Sequence, residues 1–582
     1  MVQTTTKKPE HGQNQQAAIA SDTSLQSLLR SWEFYALIAL AAFLRLYRLD
    51  TVVFGVDEGN MFHLARDFFT HGFFPITGNR SSIGNLYFPI LIYFLMIPAA
   101  LSANPQWADA LIGLLNTFGV VITYIFTRRY YGRMAATIAS LLFATSSMAL
   151  IFSNSIWQPN MLPPLNMLFL FCVFRGVVER RKGWLFPALV LFGLLYELHS
   201  TAIYMLEVLV PACFFAWRTL RIRDGIFAAL VLLVSAVPFI AWEFKSGFAD
   251  IQIILHAAQT PAHIDWSAYQ PYRALLGPYV GSAVERGDML PSTPTSAFYT
   301  TPVRYLLGPL QGLHAILPWL FLCAVLTATG MVLWSRHLSA RTESESVAQR
   351  SPRGIAGWLR RWLADFRTSP LRQGTLLLLI WQIGGLASLI HHSVPLYPHY
   401  YTFFLPGQFI LLGIFFAQIS ALLQRYPLRW RAAPRAVVST AATLLIVAQT
   451  LCSGVYLTDM INGNFNAQAV ALNFYNMASL QPALDKANQL AQVYHAQRLY
   501  IATSFSDESA LYALSEQIKT PVTLFDGTHC TLLPGVEAGP VVFLETPYLT
   551  GTDQLLHRYA TIQQMETVWR PGGDPSALSS LG

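Results

Sequence analysis

The sequence predicts an all-α polytopic membrane protein with a small C-terminal α/β domain. Three observations lead there. Apolar and aromatic residues make up 53% of the 582 positions against 12% charged, mean hydropathy is +0.40, and apolar runs of near-span length recur from residue 30 to residue 456. Beyond 456 the runs shorten and alternate with polar stretches. The formal charge of +7 does not point to nucleic acid, because the basic residues form short clusters between apolar segments rather than one face or tail. Of the five cysteines, Cys172, Cys213, Cys323 and Cys452 fall in apolar segments and Cys530 stands alone in polar sequence. Neither a disulfide framework nor a metal-ligand spacing follows from them.

Residues 1–28 are polar, Gln/Thr/Ala-rich and aperiodic, which reads as a disordered cytoplasmic tail. The first apolar run ends in Arg45-Leu46-Tyr47-Arg48 with no small-residue cleavage site, so an uncleaved anchor is expected. Hydropathy places spans at roughly 30–47, 107–127, 134–152, 161–178, 184–199, 201–217, 225–243, 306–334, 374–390, 402–422 and 437–456. The stretch 86–101 is different. Its sixteen residues would rise about 24 Å as a helix, short of a hydrocarbon core of roughly 30 Å, and it contains Pro89 and Pro98.

The basic loops decide how to count it. These are Arg128-Arg129 with Arg133; Arg180-Arg181-Lys182; Arg218, Arg221 and Arg223; the stretch 336–372; and Arg425, Arg429, Arg431 and Arg435. If 86–101 does not cross, all of them share a side with Lys7, Lys8 and Arg30, so an interfacial or re-entrant helix is expected and the count is eleven spans. The expected organisation is then a transmembrane domain over 29–456 and an extracytoplasmic domain over 457–582. The former includes outer loops at 51–105 and 244–305 and a basic cytoplasmic loop at 336–373, and the protein sits multi-pass in the plasma membrane. Around 341–354 the cytoplasmic loop reads as a linker, and 358–366 as an amphipathic segment. In the C-terminal part the apolar runs 499–503, 522–525 and 541–544 read as strands and 507–517 as a helix.

Within the first outer loop, Asp57-Glu58 follows the first span by only a few residues. A carboxylate at the water–lipid boundary can take a proton from a substrate hydroxyl while the lipid holds the other reactant, which points to an enzyme of lipid-linked substrates. Displacement at a phosphate-linked carbon also needs cationic or hydrogen-bonding groups on the departing phosphate. Arg45, Arg48 and Arg80 are candidates, Arg80 the better placed because it shares the loop with the acidic pair; snorkelling to headgroups is the ordinary alternative for Arg48. His199 sits at the mouth of two adjacent spans, and Glu207 lies inside the second, where an ionisable group is expected to face a cavity or a partner. His391-His392 and His399-Tyr400-Tyr401 fall on the loop between two late spans, and no carboxylate or cysteine stands at a spacing that would make them a zinc site. Trp157, Tyr397, Tyr400 and Tyr401 suit stacking on a sugar ring as well as interfacial anchoring.

Several of these motifs together resemble the family 39 type of C-class integral-membrane glycosyltransferases, the group of protein O-mannosyltransferases and the lipid A aminoarabinose transferase. They are Leu44-Arg45-Leu46 leading to Asp57-Glu58, then Leu86-Tyr87-Phe88, Arg128-Arg129-Tyr130-Tyr131-Gly132-Arg133, and His399-Tyr400-Tyr401 ahead of Pro406. The resemblance runs over roughly 30–425 and implies a GT-C-like fold. It further implies inverting transfer of a sugar from a polyprenyl-phosphate donor to a hydroxyl of a lipid, protein or polysaccharide acceptor, with Asp57 as base and Glu58 as a positioning or second acidic group. Arg45, Arg80, His199, His392, His399, Tyr400 and Asn160 would then contact the donor phosphate or sugar. No cofactor is firmly implied, although a divalent metal is possible. The chain departs from the pattern at Gly84-Asn85-Leu86-Tyr87-Phe88-Pro89, where relatives have Lys-Pro-Pro-Leu or His-Pro-Pro-Leu. It departs again at Gln158-Pro159-Asn160, where they have Arg-Pro-Asp, and at His399, where they have arginine. The competing expectations are a polytopic transporter, against which no internal repeat is visible, and a non-catalytic membrane scaffold.

Overall fold

A computed structural model describes residues 25–51, 53–277, 296–334, 355–424, 432–462, 476–504, 508–535, 539–545, 550–568 and 578–581. Most of the expected disordered tail, the 341–354 linker and parts of the 244–305 loop lie outside the described residues. The first part of the chain is helical: α1 (Trp32–Leu46), α2 (Val56–Thr70), α3 (Ile90–Leu101), α4 (Gln106–Tyr131), α5 (Arg133–Thr145), α6 (Leu162–Val177), α7 (Leu185–Leu198), α8 (Leu206–Phe215), α9 (Ile222–Ser246), α10 (Ala249–Ala258), α11 (Leu307–Leu333), α12 (Ile355–Thr368), α13 (Pro370–Leu379), α14 (Gly407–Leu423) and α15 (Ala432–Asn462).

Six helical segments are long and apolar enough to cross a membrane, seven if Pro398–Phe404 and Gly407–Leu423, bent by 47°, make one span. The remaining expected spans are shorter: α1, α5, α7 and α8 have 15, 13, 14 and 10 residues. At 1.5 Å per residue even α1 rises only about 22 Å, so the count of eleven does not follow from helix length. The cause is local. Ser146 leaves the helical region at ψ 123° and caps a new short turn by accepting from Ala149 N at 3.3 Å, which cuts the run after α5 in two. His199, likewise extended, closes α7. Helix α3, with Pro98 inside it, spans 12 residues and is too short to cross as a straight helix.

Helices α4, α5 and α14 form the packed centre, with α1 against α4 and α11 against α14. Small residues permit this: a Cβ on Gly413 would lie 2.4 Å from the Ala135 carbonyl oxygen, so α14 and α5 touch backbone to backbone. Helix α9 lies at the periphery, with only 11% of its apolar window buried. The C-terminal part adds α16 (Met477–Val493), β3 (Arg498–Thr503), α17 (Glu508–Ser515), β4 (Val522–Asp526), β5 (Val541–Glu545), α18 (Thr550–Tyr559), β6 (Met565–Val568) and β7 (Leu578–Leu581), after the short strands β1 (His263–Ile264) and β2 (His391–His392) of the helical part. Its sheet has the order β4-β3-β5-β7-β6, the first three strands parallel and the last two antiparallel additions. Leu499, Ile501, Val542 and Leu544 supply the buried face against the α16 residues Leu484 and Ala487.

Candidate active site

Asp57 lies in the first turn of α2, the end of a helix where a negative charge is favoured. Its Oδ1 accepts from Asn79 Nδ2 at 2.7 Å, and Asn79 Oδ1 in turn accepts from Asn60 Nδ2 at 2.7 Å, one turn along the same helix. The Trp157 indole N–H also donates to it. Burial pushes the Asp57 carboxyl above the usual carboxylate range, while the Asn79 bond and the nearby His399 pull it back. Glu58 is turned differently. It accepts from the Gly55 backbone N–H at 3.1 Å, closing a cap on its own helix, and burial together with the charge of Asp57 pushes it up to about 8. Two adjacent carboxyls therefore hold different stations: one reaches an aromatic cluster, the other is sealed against the helix start.

That cluster gathers most of the remaining candidates. Trp157 and His399 rings are 4.3 Å apart, His399 packs edge-on against Tyr400 at 4.4 Å and parallel to Tyr397 at 5.7 Å, and His199 lies 5.5 Å from Tyr400 and 5.6 Å from Tyr87. His199, buried, is fixed by Thr201, whose backbone N–H and hydroxyl lie 3.3 and 2.8 Å from Nδ1. Tyr400 OH meets Ser82 Oγ at 2.5 Å. Ser82, Tyr87, Thr201, His392 and Tyr400 line a cavity of about 740 Å³ together with Phe239, Ile240, Phe248 and Ile251 and the carboxyl of Glu243, so a few polar groups share a largely apolar wall. Asp57 is not in its lining; the contact chain Asp57–Trp157–His399–Tyr400 leads from the acid to the cavity wall.

Other candidates lie elsewhere. Arg45 is entirely buried, and its guanidinium donates to the Phe143 and Ala144 carbonyls at 3.3 and 3.2 Å, completing the end of α5 rather than facing a phosphate. Arg48 pairs with Asp50 at 2.8 Å. Arg80, exposed, donates to the Gly84 carbonyl at 2.7 Å and fastens its own turn. Asn160 is buried and bonds Ser155 O and Oγ at 2.9 and 2.7 Å, holding the loop that presents Trp157. Glu207 accepts from Ser388 at 2.6 Å, a partner in the distant short helix Gly385–Ile390.

His392 enters a grouping that spacing in the sequence did not signal. The antiparallel β1–β2 pair sets His263 opposite His392, and Asp265, whose N–H bonds Ile390 O at 2.9 Å, brings a carboxylate beside them. One donor atom from each of the three lies within 4.8 Å of the others. Two imidazoles and a carboxylate suit zinc or a similar divalent ion with a coordination position left open. Sequence reasoning also missed Asn79, the direct partner of Asp57, and Asp109 in the first turn of α4, a fully buried carboxyl without a hydrogen-bond partner among the described residues, within electrostatic reach of Glu58. The only signal for Asp109 was an acid at the start of an apolar run.

No family model and no curated protein matches the sequence. Among solved structures the chain is similar to ArnT from Cupriavidus metallidurans bound to undecaprenyl phosphate, with 17% identity and a TM-score of 0.48 over 94% of this chain and 97% of that one. It is also similar to the apo state of the same protein (17%, TM-score 0.49, 94% and 96%) and to the oligosaccharyltransferase of Archaeoglobus fulgidus in the apo form (13%, TM-score 0.39, 84% and 64%).

Proposed function

We propose that the protein is a membrane glycosyltransferase that moves a sugar from a polyprenyl-phosphate donor to an acceptor hydroxyl on the outer face of the membrane, with inversion. The observation that supports this best is the pairing of a partly buried, hydrogen-bonded Asp57 with an aromatic and imidazole cluster that reaches the wall of a largely apolar cavity. In this reading the acceptor oxygen attacks the anomeric carbon, the bond from that carbon to the phosphate oxygen breaks, the hydroxyl proton passes to Asp57 and polyprenyl phosphate leaves. A raised carboxyl is the stronger base once ionised, which favours that transfer. His399, Tyr400 and His199 are suited to hold the phosphate by hydrogen bonds, and Trp157 and Tyr397 to stack on the sugar. The isoprenoid would lie along Phe239, Ile240 and Ile251, whose wall is continuous with the membrane-facing helix α9. His263, Asp265 and His392 would hold any divalent ion.

The test is turnover in proteoliposomes, with a panel of undecaprenyl-phosphate hexoses as donors and cell-envelope extract as acceptor source. Release of undecaprenyl phosphate with the hexose covalently attached to an acceptor is expected. Movement of intact donor across the bilayer without release would favour a transporter instead.

A further inference from the structure

Helix α2, which bears Asp57, is held along its length by the C-terminal α/β unit. Just before it, Val53 bridges antiparallel to Asn476, the residue that opens α16. At its first turn Gly59 abuts the backbone of α17: a Cβ there would fall 2.5 Å from Ala510 N and from the Ser509 carbonyl carbon, and 2.6 Å from the Ser509 oxygen. No side chain fits, and the obstacle is main chain, which cannot swing aside. Further along α2, Glu516 at the end of α17 accepts from Arg66 Nε at 3.2 Å and lies 3.3 Å from His63 Nδ1, and the His63 ring stands perpendicular to Tyr512 at 4.5 Å. Arg66 uses its remaining reach to donate to the Ala99 carbonyl of α3 at 2.7 Å, so one guanidinium ties α17, α2 and α3 together. These charges are sheltered, with Arg66 17% and Glu516 16% exposed, which protects the pair from screening by salt.

Resting on the reading of Asp57 as base, we propose that α17 and Glu516 of the C-terminal unit are positioning elements for the transfer reaction: they fix the rotation and height of α2 and so aim Asp57 at the acceptor. The Asp57–Asn79 bond alone does not do this, because Asn79 lies in a loop and its other side-chain bond returns to α2 through Asn60. The external reference for α2 is the α17 backbone at Gly59 and the Glu516 clamp two turns on. Proton transfer is sensitive to such aim, since a misplacement of about 1 Å can lower rate by ~10²-fold.

The experiment uses the full chain in nanodiscs with Glu516→Ala, Glu516→Gln and Gly59→Ala. Amide hydrogen exchange over 55–60 reads the Asp57 turn, and steady-state release of undecaprenyl phosphate from the donor that the wild type turns over best reads the reaction. Glu516→Ala is expected to raise exchange at 55–60 and to lower kcat about tenfold or more while KM for the lipid donor stays unchanged. Glu516→Gln, whose amide oxygen still accepts from Arg66, is expected to recover most of both. Gly59→Ala should act in the same direction more strongly; if it fails to fold, the two Glu516 variants decide alone. Unchanged exchange at 55–60 in Glu516→Ala, or raised exchange with wild-type kcat, overturns the proposal. An active Asp57→Asn variant would instead remove the reading of Asp57 itself, and the exchange result would still say whether α17 holds α2.

Discussion

Two clusters of ionisable groups flank the same cavity, and they are built in opposite ways. Around Asp57 the acid comes from a helix start, its partners Asn79 and Trp157 from two separate loops, and His399 and Tyr400 from a fourth segment; every group is oriented by another protein group. Around His392 two short strands pair for two residues, and His263 is exposed while Asp265 is half-buried. The first arrangement sets a single carboxylate in a partly dry, polar-lined place, as proton transfer requires; the second collects electron-pair donors and offers a place for an ion. The difference assigns the chemistry to the Asp57 cluster and a supporting role to the His263–Asp265–His392 grouping.

The sharpest way to break that comparison is Asp57→Asn. General-base catalysis contributes roughly 10²- to 10⁴-fold, and a loss of transfer in that range is expected with unaltered membrane insertion. Next is Tyr400→Phe, which removes the hydroxyl shared with Ser82 at the cavity wall; a loss of about tenfold, the effect of one hydrogen bond to a charged group in the transition state, is expected in kcat/KM. On the other side of the comparison, His263→Ala should lower the zinc that the purified protein takes up from added zinc, measured by elemental analysis, and leave transfer near wild type. A collapse of transfer comparable to that of Asp57→Asn would move the chemistry to the His392 grouping.

The smallest effect belongs to Glu58. Its carboxyl is raised to about 8 in the folded chain, so between the ordinary carboxylate range and pH 8 the native state binds a proton that the unfolded chain has released. Stability from this group is present at low pH and is lost as pH rises through that window. Glu58→Gln keeps an acceptor for the Gly55 N–H and should flatten the fall in Tm between pH 5 and pH 8, measured by thermal unfolding in detergent at about 0.1 M salt, where screening of exposed charges is similar throughout. A Tm profile unchanged by the substitution would return Glu58 to a solvated setting and weaken the contrast with Asp57.

What the sequence made legible follows the range of the interactions. Helices, strands and the acidic pair at the head of α2 are local, and the runs at 499–503, 522–525 and 541–544 coincide with three strands of the C-terminal sheet. The contacts of Arg45 were not legible, because nothing near it in sequence shows that α5 would end beside it with the Phe143 and Ala144 carbonyls within reach. The Arg80 bond to Gly84 is equally hidden, since it depends on how tightly its turn closes. The His263–Asp265–His392 grouping depends on a two-residue strand pairing between distant loops, and the hold of α17 on α2 depends on the absence of a side chain at Gly59, which in sequence is one glycine among 36.

The most direct test of the account is the pH dependence of kcat/KM for sugar transfer, compared between the wild type and Asp57→Asn. Because the Asp57 carboxyl is raised by burial and must be ionised to accept a proton, the wild-type rate should climb tenfold per pH unit to an inflection above the ordinary carboxylate range, and the residual rate of the Asn variant should lack that inflection. The same inflection in both proteins would contradict the assignment of the base.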